Sequence, residues 1–292
     1  MCKQEYVFRG LGVSLSGRGR VPEIESVEPL PLIVAIHGGT YSSRYFDVPG
    51  HSLLDRAQAQ GLPIFAIDRP GYGISAAYAE NAPSILDNAE ILDSAIQDLW
   101  HNYPHNASGI VLIGHSIGAA ISIAIAARQP SWPLLGIALS GVGLDPVPAS
   151  KDKWNSVPAQ QALVSVPPQA MDGFFFGPQA TYDHTIMPQA SHAACAPAPR
   201  SELVDIGMQW PRQVGRLAAQ VKVPVHYRQP EFEQLWPVDE ATVQRFAQAF
   251  VNCPAMDAAL FRDAGHCIDF HRMGEAFQFQ QLAFARRCAA SA

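Results

Sequence analysis

The chain has 292 residues, room for one large domain or for one domain carrying an insertion. Its 20 Lys and Arg against 26 Asp and Glu leave a net charge of −6, which argues against a nucleic-acid-binding protein, because neutralising phosphates takes clustered cations. With 48% hydrophobic and only 16% charged residues it has ample material for a core, the reverse of a disordered chain.

Met1 to Glu5 include an acidic residue and no apolar run, so no secretory signal is read there. No later window approaches the roughly 18 uninterrupted apolar residues of a membrane span. A cytoplasmic location without membrane contact is the expectation. The five cysteines (Cys2, Cys195, Cys253, Cys267 and Cys288) are odd in number and widely spaced. With no C-x-x-C pair among them, they argue against a disulfide framework or a structural zinc site.

Residues 5 to 28 are expected to supply one or two leading strands. Short apolar runs then follow between turn signals: Leu32–Ile36, Pro63–Ile67, Ile110–Ile113, Leu134–Leu139 and the less apolar Val223–Tyr227. Near-continuous apolarity over five or six residues fits strands covered on both faces, the mark of a parallel sheet. Helices are predicted over His51–Gln60, Ser84–Tyr103, Ile117–Gln129, Val238–Val251 and Met273–Cys288. The alternation indicates an α/β fold with a doubly wound sheet.

That rhythm fails between about Asp145 and Gln220, a stretch rich in Pro, Ala and Gln. Some seventy residues are too many for a loop. Residues 145–220 are therefore read as a cap inserted over the carboxyl edge of the sheet, and 1–144 with 221–292 as the core.

The strongest local signal is Gly114-His115-Ser116-Ile117-Gly118, a G-x-S-x-G pentapeptide. The apolar run Ile110–Ile113 ends just before it, and a helix of small residues begins just after. A strand, a sharp turn and a helix expose a serine Oγ, with glycines where side chains would collide. The serine also sits at a helix amino terminus, where free N–H groups favour developing negative charge.

With three further motifs in order, the sequence resembles the α/β-hydrolase fold superfamily, of the alpha/beta hydrolase-1 type with a cap after the sixth strand. His37-Gly38-Gly39 follows the third strand. Asp68-Arg69-Pro70-Gly71-Tyr72-Gly73-Ile74-Ser75 follows the fourth and matches the family's D-x-x-G-x-G-x-S loop. Gly265-His266 lies near the end, after a strand-like Ala258–Phe261. The resemblance covers nearly the whole chain and implies a mostly parallel central sheet flanked by helices.

It also implies a triad in the order serine, acid, histidine. Ser116 would attack an acyl carbon, and His266 would take its proton and pass it to the leaving group. His115 is expected to pack or hydrogen-bond beneath the nucleophile. The acid is read from Pro224 onward, where the family's P-V-L-x-x-x-G-x-x-D aligns Glu233 with the Asp and Pro230 with the Gly. Glu231, Asp239 and Asp145 are its rivals. The oxyanion hole would comprise the backbone N–H of Ile117 and that of Gly39. Asp68 to Ser75 is assigned to structure, with the Asp or Arg anchoring neighbouring loops.

Tyr41, Phe174, Phe175 and Phe176 are candidate substrate-binding residues, joined by Trp154 as lining or cover of an apolar pocket. No cofactor is expected, since Gly10-x-Gly12 and Gly17-x-Gly19 lack the strand-then-helix setting of a phosphate loop. No metal is expected either: His184 and His192 stand eight apart with no Cys or Glu at ligand spacing.

A serine at the elbow argues against the aspartate-dependent dehalogenases and epoxide hydrolases that share the fold. The expected partner is a small, mainly apolar ester, thioester or lactone, hydrolysed through an acyl-enzyme. Acyl transfer, cleavage of a carbon–carbon bond on the same triad, and a non-hydrolytic ligand sensor are the alternatives. Oligomeric state is not legible.

Overall fold

The computed structural model describes residues 4–22, 30–102 and 106–292. Cys2, residues 23–28 and Tyr103, on which sequence expectations fell, lie outside them. Eight strands form one sheet: β1 (Gln4–Gly10), β2 (Val13–Arg20), β3 (Pro31–Ile36), β4 (Ile64–Ile67), β5 (Gly109–His115), β6 (Leu134–Ser140), β7 (Val225–Phe232) and β8 (Met256–Gly265). Their spatial order is β1-β2-β4-β3-β5-β6-β7-β8. The leading hairpin β1–β2 is antiparallel and joins β4 antiparallel, and every later pairing is parallel. Each residue of β3, β4 and β5 is buried, as their unbroken apolar runs require.

Two helical layers cover the sheet. On one face lie α2 (Ile85–Asn102) and α3 (Ile117–Arg128); α1 (Leu53–Ala59) and α10 (Gly274–Ala290) lie on the other. The predicted elements are found within a few residues of their expected bounds, except at the seventh strand. There β7 runs on through Arg228 to Phe232, across Pro230. Its neighbour β6 pairs only as far as Arg228, so the proline meets strand β8 alone, beside a register shift after Phe261. That extension carries the chain to Glu233.

Between β6 and β7 lie α4 (Pro148–Asn155), α5 (Pro168–Phe175), α6 (Gln189–His192), α7 (Arg200–Met208) and α8 (Trp210–Ala218). A two-stranded ladder pairs Leu163–Val164 with Ala198–Pro199. This segment adds to the cores of the sheet. Leu203, Ile206, Trp210 and Val214 extend the core beneath α2 and α3, while Phe176, Tyr182 and Met187 extend the opposite one. No helix among the described residues is long and apolar enough to cross a membrane. After α8, α9 (Glu240–Gln248) links β7 to β8, with the Asp239 carboxylate accepting from Thr242 N at its start.

The tightest junction is that of α3 with the end of β3. A Cβ on Gly118 would lie 2.0 Å from the Ile36 carbonyl oxygen and 2.6 Å from that of His37. Both are backbone atoms, so nothing can swing aside. In α8, by contrast, a Cβ on Gly215 would meet nothing within 4 Å. Gly118→Ala is therefore expected to cost about 3 kcal/mol or more, and Gly215→Ala to add about 0.5–1 kcal/mol. Urea unfolding of the two variants against the parent checks both signs.

Candidate active site

The β5–α3 junction holds Ser116 at φ 56° and ψ −121°, a left-handed conformation for a residue with a Cβ. Its own N–H donates to Ser140 O at 2.8 Å, and α3 starts from its carbonyl, which accepts from Ala119 N at 2.9 Å. The turn projects the side chain from the carboxyl edge of the sheet. The N–H of Ile117, the first residue of α3, precedes these bonds and has no partner within the helix. The loop after β3 approaches so closely that a Cβ on Gly38 would stand 2.9 Å from the Ser116 Cβ.

His266 follows the last residue of β8 and is buried. Its Nδ1 lies 2.7 Å from Glu233 Oε2. The other oxygen, Oε1, accepts from Gln234 N at 2.9 Å and Leu235 N at 2.8 Å. Three N–H donors thus fix this carboxylate, and because it accepts from Nδ1, the nitrogen left for chemistry is Nε2. Phe175 at the end of α5 stacks on the imidazole, ring centroids 5.4 Å apart. Gly141, at φ 63°, allows the close approach beneath, since a Cβ there would lie 3.0 Å from Cε1 of both His115 and His266.

The rival acids are occupied elsewhere. Glu231 accepts from Asp263 N and from Arg262, both at 3.0 Å, pinning the register shift of β8. Those bonds hold its carboxyl below the usual range. Asp239 caps α9, and Asp145 pairs with Lys151 at 2.5 Å.

His115 lies under the serine, its Nδ1 3.1 Å from Ser140 Oγ and its ring stacked on Tyr45 at 4.7 Å. Burial, then the nearby His266 and His37, push its pKa well below the ordinary value. It stays neutral beside the His266 ring. His37 is likewise pushed well down, by burial and then by Arg69.

Ser116, His266, Gly39, Ile117 and Tyr41 share a cavity of about 100 Å³ with Phe174 and Phe175. Trp154, Val166, Met171, Leu203 and Trp236 also line it, and among the described residues Lys153 is the one Lys or Arg that does. The Lys153 ammonium sits 3.8 Å from the centroid of the Phe174 ring. Tyr41 is buried, packs near Phe175 and Tyr45, and has its hydroxyl near Cys267 Sγ, so it stands as wall.

Phe176 departs from expectation. It turns away from this cavity into the core beside Tyr182 and Phe270. Three consecutive residues at a helix end cannot share one face, and only two of them reach the cavity.

Sequence reasoning also passed over Glu202, wholly buried on α7 against Arg69 and Tyr72. The Asp68–Ser75 motif marked one side of that contact; nothing in the Pro- and Ala-rich segment between β6 and β7 marked the other. Asp68 anchors loops as expected, accepting from Ser43 N at 2.6 Å and Ser16 Oγ at 2.7 Å. Among the described residues no three His, Cys, Asp or Glu side chains are placed to hold a metal ion. His192 is engaged instead with Asp172 at 2.9 Å.

The sequence profile of the alpha/beta hydrolase family matches residues 33–277. The chain belongs to that family. Among solved structures this hydrolase-family fold is similar to a carboxyl esterase from Bacillus coagulans, with TM-score 0.71 and 15% identity over 99% of both chains. A putative aryl esterase from Burkholderia cenocepacia gives TM-score 0.71 and 18% identity over 98% of this chain and 99% of that one. Proline iminopeptidase from Mycobacterium smegmatis gives 0.68 and 16% over 99% of both. At these identities the likeness is one of fold. No curated protein sequence is significantly similar to this chain.

Near the His266 loop, His271 acts as a neutral brace. Its Nε2 accepts from Gly265 N at 2.9 Å and Gly177 N at 3.3 Å, and its Nδ1 lies 2.9 Å from Cys267 O. Burial, the leading cause, lowers its pKa to about 4. Below the unfolded value of about 6.5 the unfolded chain binds this proton and the folded protein does not. The brace's contribution is therefore complete above pH 6.5 and drains as pH falls toward 4, by roughly 3 kcal/mol in total. Urea unfolding between pH 7 and 4.5 should show a slope shallower by about one proton in His271→Gln than in the parent. Equal slopes would refute the assignment.

Proposed function

We propose that the protein is a serine hydrolase that cleaves an ester, thioester or lactone of a compact, mainly apolar acid through an acyl-enzyme. Residues 145–220 act as its cap. The observation that carries the reading is the Glu233–His266 hydrogen bond behind a cavity that also exposes an elbow serine.

A serine hydroxyl is a poor nucleophile at neutral pH. In this reading His266 Nε2 takes the Ser116 proton as Oγ attacks the acyl carbonyl. Glu233 holds the ring in the Nδ1–H tautomer and stabilises the imidazolium that forms. The Ile117 and Gly39 N–H groups receive the developing oxyanion. The imidazolium then protonates the leaving alcohol or thiol, and the acyl group stays on Oγ. A water molecule, deprotonated by the same imidazole, releases the acid and restores the serine. Neutral His115 suits this cycle, because a second cation there would oppose the transient charge on His266.

Lining chemistry supports the substrate class. Aliphatic and aromatic side chains make up the wall, and no carboxylate faces the cavity among the described residues. A substrate carrying an ammonium group would find no counter-charge, whereas an apolar acyl group loses water on entry.

Turnover of p-nitrophenyl butyrate tests the proposal. Ser116→Ala should lower kcat by more than about 10⁴-fold, and Glu233→Gln by about 10⁴-fold with little change in KM. A fluorophosphonate should label the parent at Ser116 and leave Ser116→Ala unlabelled. Unlabelled, well-folded parent protein would overturn the reading in favour of a ligand-binding role.

A further inference from the structure

The loop that carries Gly39 is gripped from behind. Arg69, wholly buried after β4, donates from Nε to His37 O at 2.9 Å and from Nη2 to Gly38 O at 3.1 Å. The Tyr72 hydroxyl accepts from Thr40 N at 3.3 Å. Both side chains end on one carboxylate, that of Glu202 on α7. Arg69 donates from Nη1 to Oε2 and from Nη2 to Oε1, the latter at 3.0 Å, and the Tyr72 hydroxyl donates to Oε1. None of the three lines the cavity.

A fully buried ion pair is a poor device for stability, since its desolvation consumes most of the attraction. Its geometry here performs a different task. A trans peptide is planar, with C=O and the following N–H pointing in opposite directions. Fixing the Gly38 carbonyl toward Arg69 therefore turns the Gly39 N–H away from Arg69. Fixing the Thr40 N–H toward Tyr72 in the same way orients the peptide on the other side of Gly39. The Gly39 backbone is held at both ends. The Gly39 Cα faces Ile117, whose Cδ1 would stand 3.0 Å from a Cβ placed there.

We propose that the Arg69–Tyr72–Glu202 clamp orients the Gly38–Gly39 peptide so that its N–H faces Ser116, which makes Glu202 of the insertion a positioning residue for the second oxyanion donor. The inference deepens the serine-hydrolase reading and rests on it. The insertion then contributes to the chemical step as well as to substrate choice. Without Glu202 the Arg69 charge would be buried and uncompensated, and the grip on Gly38 O would loosen as the guanidinium sought water.

Three variants test the clamp: Glu202→Gln, Tyr72→Phe and the apolar pair Arg69→Met with Glu202→Leu. The last replaces the ion pair by side chains of similar volume and keeps the test open should the first not fold. Loss of a whole oxyanion donor costs about 10²–10³ in kcat. Misorientation should cost about 10- to 100-fold in kcat, with KM within about threefold of the parent.

Affinity for an alkylboronic acid, whose serine adduct places an oxygen in the oxyanion hole, should fall by the factor lost in kcat/KM. Binding of butyrate, which forms no such adduct, should hold. Folded variants with parental kcat, a loss confined to KM, or unchanged boronate affinity would each overturn the clamp while leaving the hydrolase reading intact. A parent that neither turns over the ester nor takes the fluorophosphonate would overturn that reading and the clamp with it.

Discussion

A side-chain-bearing residue held at φ 56° is the constraint around which the molecule is arranged. Such a conformation costs on the order of 1–3 kcal/mol and persists only where its surroundings over-determine it. Here the determination comes from both sides. Strand β5 is locked between β3 and β6, and α3 is buried along almost its whole length. Neither can shift to relax the turn between them. The small residues of α3 follow from the same demand, for Gly118 lies against the β3 backbone and Ala119 and Ala120 are completely buried behind it. Packing holds the hydroxyl of Ser116 at the cavity.

The same features made this part of the protein legible in its sequence. Strands buried on both faces announce themselves as unbroken apolar runs, and the elbow needs glycines at fixed spacing, so local chemistry and global position coincide. Glu233 was legible only through the spacing from Pro224. Its distinction from Glu231 lies in where each carboxylate points: one toward His266, the other toward the bulge at Arg262 and Asp263. Glu202 was illegible for the opposite reason. Its partner Arg69 lies 133 residues earlier, and nothing around it has a period or a motif. Phe176 misled because a run of aromatics states composition without stating direction.

Electrostatics separate the histidines that crowd the carboxyl edge. His37, His115 and His271 are all buried with depressed pKa, and each is bonded to backbone or hydroxyl groups that suit a neutral ring. Of the two imidazoles that line the cavity, His266 alone is bonded to a carboxylate, at 2.7 Å. The neighbouring His115 has a hydroxyl as its partner instead and is held neutral by burial. The nearly identical rings are thus sorted by their partners.

The segment between β6 and β7 completes this arrangement because it is built into both cores of the sheet. Moving it outward as a rigid body would expose Trp210, whose indole N–H donates to Gly143 O at 2.9 Å, together with Leu203, Ile206 and Met187. At about 1.5–3 kcal/mol for each large apolar side chain, such an opening would approach the stability of an ordinary domain. The cost is far lower where α4 and α5 border the cavity, since α4 buries only Ser150 and α5 only Met171. Local stability follows buried contact, so these two helices are the least firmly held walls of the cavity. Helix α7, carrying Glu202, stays with the core. On the proposed reading, substrate choice and access would rest with α4 and α5, and the alignment of Gly39 with the half of the segment that is packed into the core.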